Sequence, residues 1–251
     1  MARFAPVAPA HIVAKLPAFE RGDYHLLLAH DVVANPKAYG DLFNHYGMEI
    51  IMDNSVIELG GAVPLPTILE AAKIVQCSTV VLPDVLLDGK ATVESCSKAL
   101  DEWGPEFEKL YGSMNKFGFM YVPQGKTIEE WAASAQALCD DDRINYWGIP
   151  RNLLLNKIDR RLAVDIAYAL NPGRRIHLLG FSDDVINDVV TARDRRVLGI
   201  DSAVPLRAAT HGIEMAMVMP NLPPRGNWWD VVQYDPMMAT NIERFKRWIR
   251  L

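Results

Sequence analysis

The chain has 251 residues, 50% of them hydrophobic and 23% charged, with a formal net charge of −5. So apolar a composition with so little net charge excludes intrinsic disorder, and a chain of this length can bury enough surface to fold without disulfides or a structural metal. No uncharged apolar stretch reaches the roughly 18 residues a membrane span needs, so no membrane association is expected.

The N-terminus, MARFAPVAPAHIVAKL, has no long apolar core behind its first positive charge, so no secretory signal is expected. Cys77, Cys96 and Cys139 lie far apart. Sparse, unpaired cysteines suit reduced, buried thiols in a cytoplasmic setting. The first short apolar run is 24–30 (YHLLLAH), followed by 48–54 (MEIIMDN) and 79–84 (TVVLPD). A segment of helical character covers 90–110. The next run, 118–124 (GFMYVPQ), precedes a helix predicted over 127–138, where Thr127 and Glu130 stand at capping-box spacing. Run 145–150 (NYWGIP) leads into a helix predicted over 153–170, and run 175–181 (RIHLLGF) into one over 183–193 with Ser182 as its cap. The last run, 197–202 (VLGIDS), is followed by a helix over 205–211 that Gly212 can terminate, and 236–251 reads as a closing amphipathic helix. Continuous apolar runs suit strands buried on both faces of a parallel sheet. Seven alternations argue for an α/β fold, either a barrel or a doubly wound sheet. An eighth strand is not obvious; 215–219 (MAMVM) and 231–234 are the candidates.

Polar residues collect where the runs end. Asp53 and Asn54 close the second, Asp84 the third, Gln124 the fourth, and Asp201 and Ser202 the last; Gly148 and Gly180 mark the fifth and sixth. In either α/β architecture these ends face the ligand site. Three carboxylates there are costly to bury unless they meet a ligand or one another. The sequence has no His-Glu-x-x-His or Cys-x-x-Cys metal pattern, no glycine-rich phosphate loop and no Gly-x-Ser-x-Gly elbow. No metal and no cofactor are therefore expected. Carboxylate chemistry remains: two Asp residues can act as nucleophile and acid/base at an anomeric carbon, while a third Asp and a Gln read the edge of a heterocycle.

Six segments, in order, resemble the tRNA-guanine transglycosylase family. Asp53-Asn54-Ser55-Val56-Ile57-Glu58 resembles its Asp-Ser-Gly-Gly-Phe-Gln segment, and Leu82-Pro83-Asp84 its second aspartate. Val122-Pro123-Gln124-Gly125 is similar to its Val-Gln-Gly, Trp147-Gly148-Ile149-Pro150 to its Gly-Gly-Leu-Ala, and His177-Leu178-Leu179-Gly180-Phe181 to its Tyr-Leu-Met-Gly-Val. Gly199-Ile200-Asp201-Ser202 through Arg207 resembles the segment carrying the nucleophile. The resemblance implies a single-domain (β/α)8 TIM barrel that exchanges guanine for a free 7-deazaguanine base. By it, Asp201 attacks C1′ and forms a covalent intermediate, and Asp53 handles the N9 proton. Asp84 would accept from the guanine-like N1–H and 2-amino group; Gln124 and the Gly148 backbone N–H would donate to O6. Asn54, Gly125, Ile149, Leu179 and Gly180, from the same segments, would line the base pocket.

The departures are as informative. The tRNA enzymes carry a Cys-x-Cys-x-x-Cys…His zinc site after the nucleophile, whereas residues 213–251 contain neither Cys nor His. Leu153 stands near the position of the glutamate that reads an aminomethyl arm, which favours a neutral substituent such as 7-cyano. This zinc-free outline is similar to the DNA-modifying branch of the family, the 7-deazaguanine DNA transglycosylases of bacteriophages and bacterial genomic islands. It implies a guanine flipped from DNA or presented in a single strand. The alternatives are a divergent enzyme acting on tRNA, a catalytically inactive base-binding barrel, and an unrelated nucleoside hydrolase or glycosidase.

Charge is unevenly spread. Residues 1–142 hold 10 Lys/Arg against 20 Asp/Glu, whereas residues 143–251 hold 16 against 11. DNA contact is therefore expected on the second part, with Arg151, Lys157, Arg196 and Arg207 as phosphate contacts and Arg160, Arg161, Arg193 and Arg195 as further candidates. Trp228 and Trp229 could stack or wedge between bases. A homodimer and accessory DNA-opening proteins are the other partners this reading allows.

Overall fold

In the computed structural model every one of the seven apolar runs forms a strand, and the eighth strand comes from the N-terminus. The structure describes residues 1–17, 21–43, 49–111, 117–155, 157–181, 184–219, 222 and 233–251. The strands are β1 (Arg3–Pro6), β2 (His25–Leu28), β3 (Ile50–Asp53), β4 (Thr79–Val81), β5 (Gly118–Tyr121), β6 (Ile144–Pro150), β7 (Arg175–Leu179) and β8 (Val197–Ser202). All pair in parallel, in the order β1-β8-β7-β6-β5-β4-β3-β2. The seam between the two ends is bridged at Asp23. Its N–H donates to the Phe4 carbonyl at 2.8 Å, and its carboxylate accepts from the Phe4 N–H at 2.8 Å. The protein is thus a single-domain (β/α)8 TIM barrel.

The expected sites of the eighth strand are corrected. Residues 215–219 are irregular, 231–232 lie outside the described residues, and 233–234 are not strand. β1 escapes a sequence reading because it has only four residues and ends in Pro6, which lacks an N–H to donate to a ladder.

The helices are α1 (Ala10–Val13), α2 (Ala29–Ala34), α3 (Pro36–Phe43), α4 (Val56–Leu59), α5 (Leu65–Val75), α6 (Gly89–Tyr111), α7 (Ile128–Ala137), α8 (Asn152–Leu155), α9 (Arg160–Leu170), α10 (Val185–Ala192), α11 (Val204–Thr210) and α12 (Pro236–Arg250). Thr127 caps α7 as expected, accepting from the Glu130 N–H. Two boundaries differ from expectation. The helix read over 153–170 is two helices, because Lys157 takes a left-handed φ of 58° and the Asp159 side chain then caps a fresh helix start. The cap of α10 is Asp184, which accepts from the Asn187 N–H. Ser182 lies outside the described residues.

Alternate strand residues divide into two cores, as a barrel requires. Inward residues such as Tyr24, Leu26, Ile51, Val81, Met120 and Tyr146 fill the barrel. The outward ones, including Trp147, Ile149, Leu178 and Ile200, pack under the helices. Each fully buried large apolar side chain contributes roughly 1.5–3 kcal/mol. Cys77, Cys96 and Cys139 are buried and unpaired, as the composition suggested. α12 closes one side of the barrel: Phe245 sits edge-on to Phe4 and Phe181, with ring centroids 4.8 and 5.0 Å apart. Among the described residues no helix is long and apolar enough to cross a membrane.

Candidate active site

A cavity of about 520 Å³ opens at the C-terminal ends of the strands. Asp53, Asp84, Gln124 and Asp201 all line it, together with Asn54, Leu179 and Gly180. Inward strand parity brings Asp53, Gln124 and Asp201 there, whereas Asp84 reaches it through the course of the loop after β4. Asp53 ends β3, Asp201 lies at the end of β8, and Asp84 and Gln124 follow β4 and β5 on the first residues of their loops. The apolar floor and walls include Leu26, Leu28, Val81 and Val122. A mostly apolar cleft with a few convergent polar groups is the usual form of a small-molecule site.

Asp84 is the centre of a buried hydrogen-bond cluster. Asn54 Nδ2 donates to its Oδ1 at 2.8 Å, and Gln124 Nε2 donates to its Oδ2 at 2.6 Å. Burial pushes the Asp84 carboxyl up, while these two donors pull it back. Gln124 is itself fixed, because its Oε1 accepts from the Leu87 N–H at 3.2 Å and from Asn152 Nδ2 at 3.1 Å. Asn54 also donates to the Leu82 carbonyl and accepts from the Val56 N–H. Asn54 is therefore a brace that orients Asp84. One N–H of Gln124 remains for a ligand.

Asp53 sits in a different field. Burial pushes its carboxyl well above the usual range. The Glu58 charge adds to this, the Ser55 N–H opposes it, and Asp201 and Asp84 raise it further. A carboxyl perturbed upward beside two other carboxylates is suited to carrying a proton at neutral pH.

Asp53 is followed by a tight turn in which Ser55 adopts a left-handed φ of 62°. Its N–H donates to Asp53 Oδ1 at 2.6 Å, and its buried hydroxyl has no hydrogen-bond partner among the described residues. Strain of this kind gathers where a catalytic side chain must be aimed. Ser55→Gly should therefore stabilise the fold by about 1 kcal/mol, by relieving both the φ strain and the unpaired hydroxyl. Urea unfolding with an unchanged slope would measure it; an equal or lower midpoint would count against strain at this turn.

Asp201 is held on one oxygen only. The Gly180 N–H donates to Oδ1 at 3.1 Å, and His177 Nε2 lies 2.9 Å from the same atom. No hydrogen bond from the described residues reaches Oδ2. Gly180 reaches this position with φ of 68°, in the left-handed region open to glycine. In the sequence His177 reads only as a strand residue, with no role. Its signal was parity: two residues before Leu179 it faces inward, and β7 and β8 pair His177 with Gly199, two residues before Asp201.

Several expected contacts are not brought to the cavity. Gly125 is pressed against α7, where an added Cβ would lie 2.4 Å from the Trp131 nitrogen. Ile149 faces the outer core, and Leu153 is 1% exposed in the same layer, so its side chain does not bear on a base substituent. Gly148 points inward but lies below the mouth. A Cβ there would meet Leu179 and Val122 at 2.8 Å, so the glycine makes room for the cavity floor.

The basic residues are largely redirected. Arg160 is wholly buried and pairs with Asp188. Arg161 pairs with Asp159, and Arg193 donates to the Trp248 carbonyl. Arg196 precedes β8, at the end of the barrel away from the cavity, and pairs with Asp165 and Asp194. It does not serve a ligand at the mouth. Arg207 is buried in α11. Of the four expected phosphate contacts, Arg151 lines the cavity and Lys157 lies exposed in the loop after β6. Trp228 and Trp229 lie outside the described residues.

Among the described residues no group of three or more His, Cys, Asp or Glu side chains could hold a metal ion. The sequence matches no protein-family model and no curated protein.

Proposed function

We propose that this barrel is a base-exchange transglycosylase that replaces guanine in DNA with a 7-deazaguanine. The observation that carries the reading is the convergence of Asp53, Asp84, Gln124 and Asp201 on one cavity. Asp84, braced from both sides, keeps lone pairs for the N1–H and 2-amino group of a guanine-like base. The remaining Gln124 N–H can donate to O6. This pairs donors with acceptors along one edge of the heterocycle, shared by guanine and its 7-deaza analogues.

Chemistry follows from the other two carboxylates. Asp201 Oδ2 attacks C1′; the new O–C1′ bond forms as the C1′–N9 bond breaks. The electron pair leaves with guanine N9, which takes the proton from Asp53. The incoming base then gives its N9–H proton back to Asp53 and attacks C1′. The electron pair of the O–C1′ bond returns to Asp201. No proton or electron is gained or lost over the cycle, so no cofactor is required. The base must leave the helical stack to reach a barrel mouth. Arg151, which lines the cavity, and the exposed Lys157 are the basic side chains this reading assigns to the flanking phosphates.

The test is to express the chain with a supply of 7-cyano-7-deazaguanine, digest DNA and tRNA separately, and analyse the nucleosides by mass spectrometry. Modified deoxynucleoside is the expected result. Modified ribonucleoside alone would move the substrate to tRNA, and neither would reject exchange of this base.

Asp53→Asn separates catalysis from stability. The variant should lose exchange yet be more stable than the wild type at neutral pH. Because the folded carboxyl is raised above its unfolded value, ionising it costs stability. That cost grows as pH rises from the ordinary value of 3.8 to the raised value, and is constant above it. The gain in the variant should therefore grow as pH rises above 3.8 and vanish in acid below it. Thermal unfolding across pH reads this directly; a pH-independent difference would count against a raised Asp53.

A further inference from the structure

Behind Asp201 lies a buried chain of three side chains. Tyr24 Oη is 3.1 Å from His177 Nδ1, and His177 Nε2 is 2.9 Å from Asp201 Oδ1. Tyr24 and His177 are each 1% exposed. The two rings meet edge-on at 84°, with centroids 5.6 Å apart. Gly199 makes the chain sterically feasible, since a Cβ there would stand 2.7 Å from the Tyr24 hydroxyl. The Arg3 guanidinium lies over the far side of this assembly, 5.0 Å from the Tyr24 ring centroid.

The donors and acceptors fix the direction. Asp201 Oδ1 already accepts from the Gly180 N–H, as a carboxylate does, so Nε2 must donate to it. Nδ1 is then free to accept from Tyr24. Burial and the Asp201 charge push the Tyr24 hydroxyl well above its ordinary range, which keeps its proton in place to donate. The network assigns the Nε2–H tautomer.

We propose that His177, oriented by Tyr24, is a positioning residue for Asp201 that acts on breakdown of the covalent intermediate. The proposal rests on the transglycosylase reading above. Once Oδ2 bonds to C1′, Oδ1 becomes the carbonyl oxygen of a glycosyl ester. The Nε2–H and Gly180 N–H stay on that oxygen. A donor bonds a carboxylate more strongly than a neutral ester. These donors therefore favour the step in which the O–C1′ electron pair returns to Asp201, and they slightly restrain the first attack. Two donors on Oδ1 also leave Oδ2 as the atom presented to the sugar.

The test compares wild type with His177→Phe, His177→Gln and Tyr24→Phe, using a guanine-containing oligonucleotide with and without 7-cyano-7-deazaguanine. His177→Phe should form the denaturant-resistant protein–DNA adduct at close to the wild-type rate. Its turnover with the incoming base should fall by about 10–100-fold, so that adduct accumulates. His177→Gln, which can present an amide N–H to Oδ1, should restore most of the loss, and Tyr24→Phe should show a smaller accumulation. A merely structural role would lower both steps together.

Nitrogen-15 NMR of histidine-labelled wild type supplies a readout without substrate: it should report Nε2–H, and Nδ1–H would overturn the proposal. Variants that turn over like the wild type, in an enzyme that does form the adduct, would reject the His177 role alone. A wild type that forms no adduct on DNA or tRNA would reject the transglycosylase reading, and the catalytic role with it.

Discussion

Asp201→Asn should abolish base exchange, with a loss of at least about 10³-fold, while leaving the barrel folded. The two halves of that expectation have separate physical grounds. The side-chain oxygen of Asn can still accept from the Gly180 N–H and from His177 Nε2, so the contacts that Asp201 makes to β7 survive. What disappears is the second oxygen, to which no described residue donates, and with it the nucleophile. Wild type incubated with guanine-containing DNA and then denatured should carry a covalent adduct. The variant should carry none, with a thermal midpoint close to wild type. Full exchange by the variant would remove Asp201 from the chemistry and leave Asp53 as the remaining candidate nucleophile.

The largest loss of stability is expected from Arg160→Ala, at about 3–5 kcal/mol. Arg160 and Asp188 form an ion pair at 2.7 Å in which both side chains are 0% exposed. The guanidinium also donates to three backbone carbonyls, at Ile149, Leu179 and Gly180. It thereby ties α9 and α10 to the ends of β6 and β7. Removing it leaves Asp188 charged and buried without this arginine, and takes one donor from each of three carbonyls. Arg160→Met with Asp188→Leu should recover part of the loss, since the lone charge is gone, but not all, since the carbonyls lose the donation of the guanidinium. Because Gly180 is one of those carbonyl residues and its N–H holds Asp201, residual activity should fall further than the folded fraction. Urea unfolding and exchange assays on one preparation would separate the two. A loss below about 1 kcal/mol would mean that Arg160 is not the tie described.

Arg160 also illustrates why the sequence misled on DNA contacts. An arginine among arginines, in the more basic part of the chain, looks like a phosphate ligand. Whether it faces water or Asp188 depends on which helix packs beside it, and Asp188 is 28 positions away. The same holds for Arg196, whose partners Asp165 and Asp194 neutralise it at the wrong end of the barrel. The charge imbalance between the two parts of the chain is real, but these arginines meet carboxylates inside the fold rather than the cavity.

The candidate site was legible to the extent that it follows from strand direction and chain order. Apolar runs ending in Asp53, Asp84, Gln124 and Asp201 could be placed at one mouth, because every parallel strand of a β/α fold ends there. Contacts between those residues could not. The bracing of Asp84 joins the ends of β3, β4 and β5, and His177 meets Asp201 only because β7 and β8 pair in one register. Gly125, Ile149 and Leu153 sit in the right segments, yet face the helices.

By itself, then, the sequence determined the β/α alternation, seven of the eight strands and the four polar residues at the mouth. Those are properties of local periodicity and of chain direction, which a one-dimensional pattern carries. The tertiary structure alone decided that the sheet closes through the four-residue β1, paired with β8 and clamped to Asp23. It decided which arginines are spent inside the fold. It also decided that one oxygen of Asp201 is anchored by a glycine N–H and a histidine while no described residue donates to the other. Each of these depends on residues far apart in sequence meeting at hydrogen-bond distance, and only the closed barrel brings them there.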